Sequence, residues 1–220
     1  LQEAGASRVI AVDIHNEAIA GMFDPSRCRL ENVHLNHRLG RFLRQKGLAG
    51  DIVVSPDVGG MERARHYAAE LSLDLAGLSK ERDYSAVNTV VRSTLIGDVR
   101  GRDVLLVDDI VDTAGSVAAA IQTLKASGAG DITVACAHPI LSGPAWGRLR
   151  AVADQARREG WRFTLVGSSS IVHRDPPDWY TSFSISGLLA EVIGHINGRG
   201  SVTGVIRADG EEDPGPLADC

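Results

Sequence analysis

The chain has 220 residues, 44% hydrophobic and 23% charged, a composition that excludes a disordered or collagen-like polypeptide. At roughly 150 residues per domain the length allows one full domain and part of another, with enough chain to bury a sizeable core. Lys+Arg 23 against Asp+Glu 28 leaves a net −5, the wrong sign for a generic nucleic-acid binder, and no apolar run is long enough to cross a membrane.

The opening LQEAGAS reads as the last turn of a helix, and RVIAVD at 8–13 as the strand that follows it. With Leu rather than Met at position 1, a segment upstream of this chain is expected. Residues 23–36 show no periodicity and are expected to be irregular. A helix is expected over 37–46, with Gly47 as its C-cap, then a strand at 51–55 (DIVVS) and a helix over 60–70. Strands follow at 73–78, 104–109 (VLLVDD), 132–137 (ITVACA), 163–167 and 182–185. Helices are expected over 116–127, with Gly128 at its end, 145–159 and 187–196. Runs such as VLLV and IVV lack polar alternation, as strands covered on both faces do. Strand–helix alternation implies an α/β fold with a parallel sheet flanked by helices. The end, RADGEEDPGPLADC at 207–220, is acidic and almost without apolar residues, so disorder is expected there.

No leader is evident in LQEAGASRVI, and Cys28, Cys136 and Cys220 form no C-x-x-C. A cytoplasmic protein is expected, without a disulfide framework or zinc site. Only three of the 23 basic residues are lysines, Lys46, Lys80 and Lys125, so each stands out in an arginine-rich chain.

The strongest chemical signal is VLLVDDIVDTAGS. A buried strand ends in Asp108 and Asp109, at the carboxyl edge where open α/β sheets bind ligands. Asp112, Thr113, Ala114, Gly115 and Ser116 then turn into a helix. Small residues permit close backbone approach, and successive N–H groups at a helix start cradle a phosphate. The carboxylates can accept hydrogen bonds from a vicinal diol. Phosphate nest and diol acceptors on one loop suit a ribose 5-phosphate.

This loop resembles the ribose-phosphate signature of phosphoribosyltransferases and of ribose-phosphate diphosphokinases (PRPP synthetases). Other stretches resemble the diphosphokinases in particular: AVDIHNEAIAGMFD at 11–24 is similar to D-L-H-x-x-x-I-x-G-F-F, and VVSPDVGGMERAR at 53–65 to S-P-D-x-G-G-x-x-R-A. SKERD at 79–83 sits where that family has its catalytic K-R-R loop, with Glu81 in place of the middle basic residue. AHPILSGPA at 137–145 resembles T-H-x-x-F-S-G-x-A, and ISGLLAEVI with GRGSVTGVI resembles the C-terminal segment.

The resemblance implies two phosphoribosyltransferase-like domains, of which 1–31 would be a remnant of the first and 32–194 the complete second. Residues 195–206 would return to the first domain and 207–220 would form a tail. It implies transfer of the diphosphoryl group of ATP to the 1-hydroxyl of ribose 5-phosphate, giving PRPP and AMP. Lys80 and Arg82 would be catalytic, Arg82 also touching the ribose phosphate, and His15 and Asp57 would hold Mg²⁺ with the nucleotide. It further implies a homo-oligomer, a hexamer in that family, with no nucleic-acid or membrane partner. His34 and His37 read as surface polarity, and His138 as a support for the active edge rather than an acid–base group. The family's F-S-D-G-E and R-Q-D strings, which contact adenine, do not occur in these 220 residues. Two alternatives stay open: a phosphoribosyltransferase that uses PRPP, and a non-catalytic regulator that assembles with the synthetase.

Overall fold

The computed structural model describes residues 1–82 and 91–198; side chains at 80–82 and 91–92 lie outside that description, as do the segment 201–206, the tail and the Asp83 end of SKERD. A seven-stranded sheet runs in the order β5-β4-β3-β6-β7-β8-β9. Its strands are β3 (Ile52–Ser55), β4 (Asp74–Arg82), β5 (Val91–Ile96), β6 (Val104–Val111), β7 (Ile132–Pro139), β8 (Phe163–Ser168) and β9 (Tyr180–Phe183). All neighbours are parallel except the antiparallel pair β4–β5. β1 (Arg8–Val12) and β2 (Arg29–Val33) form a separate parallel pair.

The central strands are buried because both faces are covered. One cluster packs Val54, Leu106, Val134 and Leu165 against α3 (Gly115–Ala126) and α4 (Ala145–Glu159). The opposite cluster packs Val53, Leu105, Val107 and Val166 against α1 (Asn36–Gln45), α2 (Met61–Leu71) and α5 (Ser186–Asn197). Alternate residues of each strand thus feed opposite cores, which is why VLLV carries no polar position.

Several expectations change. β6 and β7 run two residues further than expected, to Val111 and Pro139, which places Asp108 and Asp109 within β6. Residues 29–33 are a strand, not irregular chain; only Val33 of β2 is fully buried, so RLENV shows no apolar alternation. The strand expected to stop at 78 continues to Arg82 and pairs with β5 as a hairpin, Lys80 opposite Ser93 and Arg82 opposite Val91. An antiparallel hairpin at a sheet edge is held by backbone pairing and needs no apolar face, so its polar residues give no strand signal. β9 lies at 180–183 rather than 182–185, because Trp179 and Tyr180 turn into the core with Phe163 and Trp146.

The chain leaves β3 toward β4 on one side and later returns to β3's other side as β6. This reversal between β3 and β6 is a topological switch point, where the loops at the carboxyl ends splay apart and open a crevice.

Candidate functional site

The crevice gathers the acidic residues expected from sequence. Asp109 is 3% exposed. Its Oδ2 accepts from His15 Nδ1 at 2.6 Å and from Arg63 Nη2 at 2.8 Å, and its Oδ1 accepts from the Ile110 amide at 2.7 Å. Arg63 comes from α2, His15 from the loop after β1. Asp108 accepts the Asp109 amide at 2.9 Å, and its Oδ1 stands 3.9 Å from Arg63 Nη1.

Two adjacent carboxyls thereby take different roles. Burial raises the Asp108 carboxyl to about 7, and the hydrogen bond and charge of Asp109 act in the same direction. Burial also pushes on Asp109, but the His15 hydrogen bond and the Arg63 guanidinium outweigh it and hold this carboxyl below its ordinary value. Asp109 is the ionised anchor of His15 and Arg63. Asp108 is the carboxyl that titrates near neutrality.

Asp57 follows β3. Its Oδ1 accepts the Gly60 amide at 3.0 Å, and its carbonyl accepts from the Ser55 hydroxyl at 2.6 Å. A Cβ on Gly60 would stand 2.7 Å from Ser55 Oγ, so this turn into α2 requires glycine. Asp13, His15, Glu17, His34, Glu62 and Arg63 are among the residues lining a cavity of about 420 Å³ beside this turn. His34 Nδ1 lies 3.1 Å from an Asp13 oxygen and His37 Nδ1 2.5 Å from a Glu70 oxygen, so the HLNH histidines face separate carboxylates.

The 112–116 loop follows β6. Ala114 holds a left-handed φ of 58°, and α3 starts at Gly115. Asp112, Thr113 and Ser116 are exposed. The backbone of Lys80 and Arg82 lies on the hairpin beyond the sheet edge. Register aligns Ser55 with Gly77 and Val54 with Leu106, so Lys80 reaches past the level of Asp108. Two strand spacings, roughly 10 Å, separate β4 from β6.

His138 joins the first strand pair to the carboxyl edge of the main sheet. Its Nε2 donates to the Val12 carbonyl at 2.9 Å and its Nδ1 meets Ser170 Oγ at 3.0 Å, tying the end of β1 to the main sheet. His138→Ala is expected to loosen β1 by on the order of 1–3 kcal/mol, the cost of leaving such groups unpaired. Hydrogen exchange should show faster opening of Arg8–Val12 with Val104–Val107 unchanged; equal protection in both proteins would remove the tie.

Sequence reasoning missed Arg63, Ser142 and Arg148. Arg63 stood inside the quoted VVSPDVGGMERAR without a role, and its position in the first turns of the helix after Asp57 was the available signal. Ser142 donates to the Asp112 carboxylate, and Arg148 Nη1 donates to the Thr113 carbonyl at 2.9 Å.

Among the described residues no helix is long and apolar enough to cross a membrane, and no group of three side chains is arranged to hold a metal by itself. Residues 33–170 match the phosphoribosyl transferase domain family. The chain is 36% identical over 202 residues to a ribose-phosphate pyrophosphokinase of Wolinella succinogenes, covering 92% of this chain and 61% of that protein. It is 34% identical over 203 residues to that of Bacillus subtilis, again 92% of this chain and 61% of the relative. The structure of phosphoribosylpyrophosphate synthetase from Mycobacterium smegmatis superposes with a TM-score of 0.75 at 30% identity, over 90% of this chain and 61% of that one. The chain thus spans about three fifths of the length of these relatives.

Proposed function

We propose, from the premise that this chain belongs to the phosphoribosyl transferase domain family, that it is the ribose 5-phosphate-binding part of a ribose-phosphate diphosphokinase. The observation that carries this reading is the switch point. The 112–116 loop, Asp108 and the Asp57 turn converge on it from adjacent strands, and the Lys80–Arg82 hairpin stands beside it. The 5-phosphate takes the N–H groups and hydroxyls of Asp112 to Ser116, and the ribose diol takes Asp108. In the reaction the anomeric hydroxyl loses its proton to solvent as its oxygen bonds to the β-phosphorus of ATP. The bond from that phosphorus to the oxygen bridging the α-phosphate breaks, and AMP leaves. Such a transfer calls for positioning and charge neutralisation rather than covalent help, which suits Lys80 as a mobile point charge and Arg82 as a fork on phosphate oxygens.

The residues present fit Mg²⁺. Asp57 offers carboxylate oxygen, and His15, with Nδ1–H given to Asp109, keeps Nε2 as the nitrogen for a ligand or its water. A small number of protein donors completed by water and substrate phosphate is this ion's habit. When bound it neutralises phosphate charge. We also infer that residues 1–31 belong to a first domain and 32–194 to a second, that the whole protein is a cytoplasmic homo-oligomer of the hexameric kind, and that its partners are ATP and ribose 5-phosphate.

AMP release from ATP and ribose 5-phosphate by the intact protein tests the reading. Pyrophosphate release from PRPP and a base, without AMP formation, would overturn it in favour of a phosphoribosyltransferase. Asp108 supplies a pH test. Its carboxyl is raised from 3.8 to about 7, so its contribution to stability is fully present below 3.8 and lost as pH rises through about 7. A bound diol favours the ionised form. Ribose 5-phosphate affinity is therefore expected to climb with pH across neutrality by more than the ligand's own phosphate ionisation explains. Asp108→Asn should remove that extra climb; calorimetric pH profiles of the two proteins that coincide would sink the assignment.

A further inference from the structure

We infer that Ser142 and Arg148 are positioning residues that hold the 112–116 loop in its phosphate-receiving shape, an inference that rests on the ribose 5-phosphate reading of that loop. The bonds run in sequence. The Leu141 amide donates to the Val111 carbonyl at 3.0 Å, the Ser142 amide to the Asp112 carbonyl at 3.1 Å, and Arg148 Nη1 to the Thr113 carbonyl at 2.9 Å. The Ser142 hydroxyl adds a bond to the Asp112 carboxylate.

In a planar trans peptide the N–H points opposite to the carbonyl of the same unit. Each bond therefore fixes one peptide plane. Together they turn the N–H groups of Asp112, Thr113 and Ala114 away from the segment that leads from β7 into α4. Among the described residues none of these N–H groups has a hydrogen-bond acceptor. The left-handed φ of Ala114 makes a concavity of successive amides rather than a continued strand.

Arg148 has a further mark. Among the described residues no carboxylate lies within ion-pair distance of it, and a Cβ on Gly115 would stand 3.2 Å from its Nη1. A guanidinium beside the positive end of α3 is disfavoured until an anion joins the pair. The arrangement holds the loop's shape and adds positive potential where a phosphate would sit.

Calorimetry with ribose 5-phosphate and, separately, orthophosphate tests the inference on the whole chain and on Ser142→Ala, Arg148→Ala and Arg148→Lys. Arg148→Ala is expected to weaken both ligands roughly tenfold or more, the size of one lost charge-assisted hydrogen bond. Arg148→Lys should recover most of that, since one donor suffices for the Thr113 carbonyl. Ser142→Ala should lose less, because the Ser142 amide still holds its plane. Tm without ligand should stay nearly constant while the ligand-induced rise shrinks. Equal affinity in all four proteins overturns the bracing role and leaves the phosphate site standing. Failure of the unsubstituted chain to bind ribose 5-phosphate overturns both. A loss in Arg148→Ala that lysine does not restore, with a lowered ligand-free Tm, assigns Arg148 to packing and overturns the inference.

Discussion

Lys80→Ala is expected to lower kcat for PRPP formation by at least about 10²–10³, the loss typical of removing one preorganised charge stabiliser, with little change in ribose 5-phosphate affinity. The split follows from where the charge acts. In the proposed reading, phosphate and diol take the 112–116 loop and Asp108, on the other side of β3 from the hairpin. A cation on the transferring group works chiefly in the transition state, so its loss falls on kcat and kcat/KM together. Lys80→Arg separates charge from shape: it keeps the cation but replaces a point charge by a planar fork, and an intermediate rate is expected. AMP release and calorimetry on the same preparations of the intact protein make the comparison. Near-normal kcat in Lys80→Ala would make SKERD a surface strand end and take the catalytic assignment with it.

Much of the fold was legible because its signals are local. The buried strands β3, β6, β7 and β8 are built on short, mostly apolar runs, and α4 falls on the residues expected for it. The turn proposed for the phosphate was legible as a strand–turn–helix junction because its residues are consecutive. Two of the edge strands, β2 and β5, were not: a strand at a sheet margin can be defined by a partner's backbone and not by its own pattern, whereas β1 and β9, also at margins, were expected from their residues.

The supporting residues were illegible for a related reason. Arg63 meets Asp109, Ser142 meets Asp112 and Arg148 meets Thr113 across separations of 46, 30 and 35 residues. No short spacing announces such pairs; they exist only once α2 and α4 have packed on their faces of the sheet. The scarcity of lysine was an ambiguous signal. Lys125 donates to the carbonyls of Ala129 and Gly130 at 2.6 and 2.8 Å and stands 4.4 Å from the Trp161 ring, so that rare lysine closes the turn after α3. Rarity alone therefore does not mark Lys80; the proposal for it rests on the place of its backbone on the hairpin beside the switch point.

Substitution of Gly115 should separate stability from binding. Gly115 opens α3, and no positive φ constrains it. Gly115→Ala removes the entropic cost of glycine in a helix, a gain of roughly 0.5–1 kcal/mol. The new Cβ would stand 3.2 Å from Arg148 Nη1, the tip of a flexible side chain that can yield a few tenths of an ångström. Yielding, however, strains the 2.9 Å bond to the Thr113 carbonyl that orients the loop. Ribose 5-phosphate is thus expected to bind roughly tenfold more weakly to a protein that is no less stable. Valine goes further. Its branched, stiff side chain crowds the backbone N–H groups at the start of α3, where an anion must approach closely. A loss of roughly 100-fold or more in affinity is expected, two such hydrogen bonds' worth, with Tm within a few degrees of the unsubstituted protein. Thermal melts and calorimetry on both variants decide the matter. If Gly115→Val binds ribose 5-phosphate as the unsubstituted chain does, the phosphate does not sit at the start of α3.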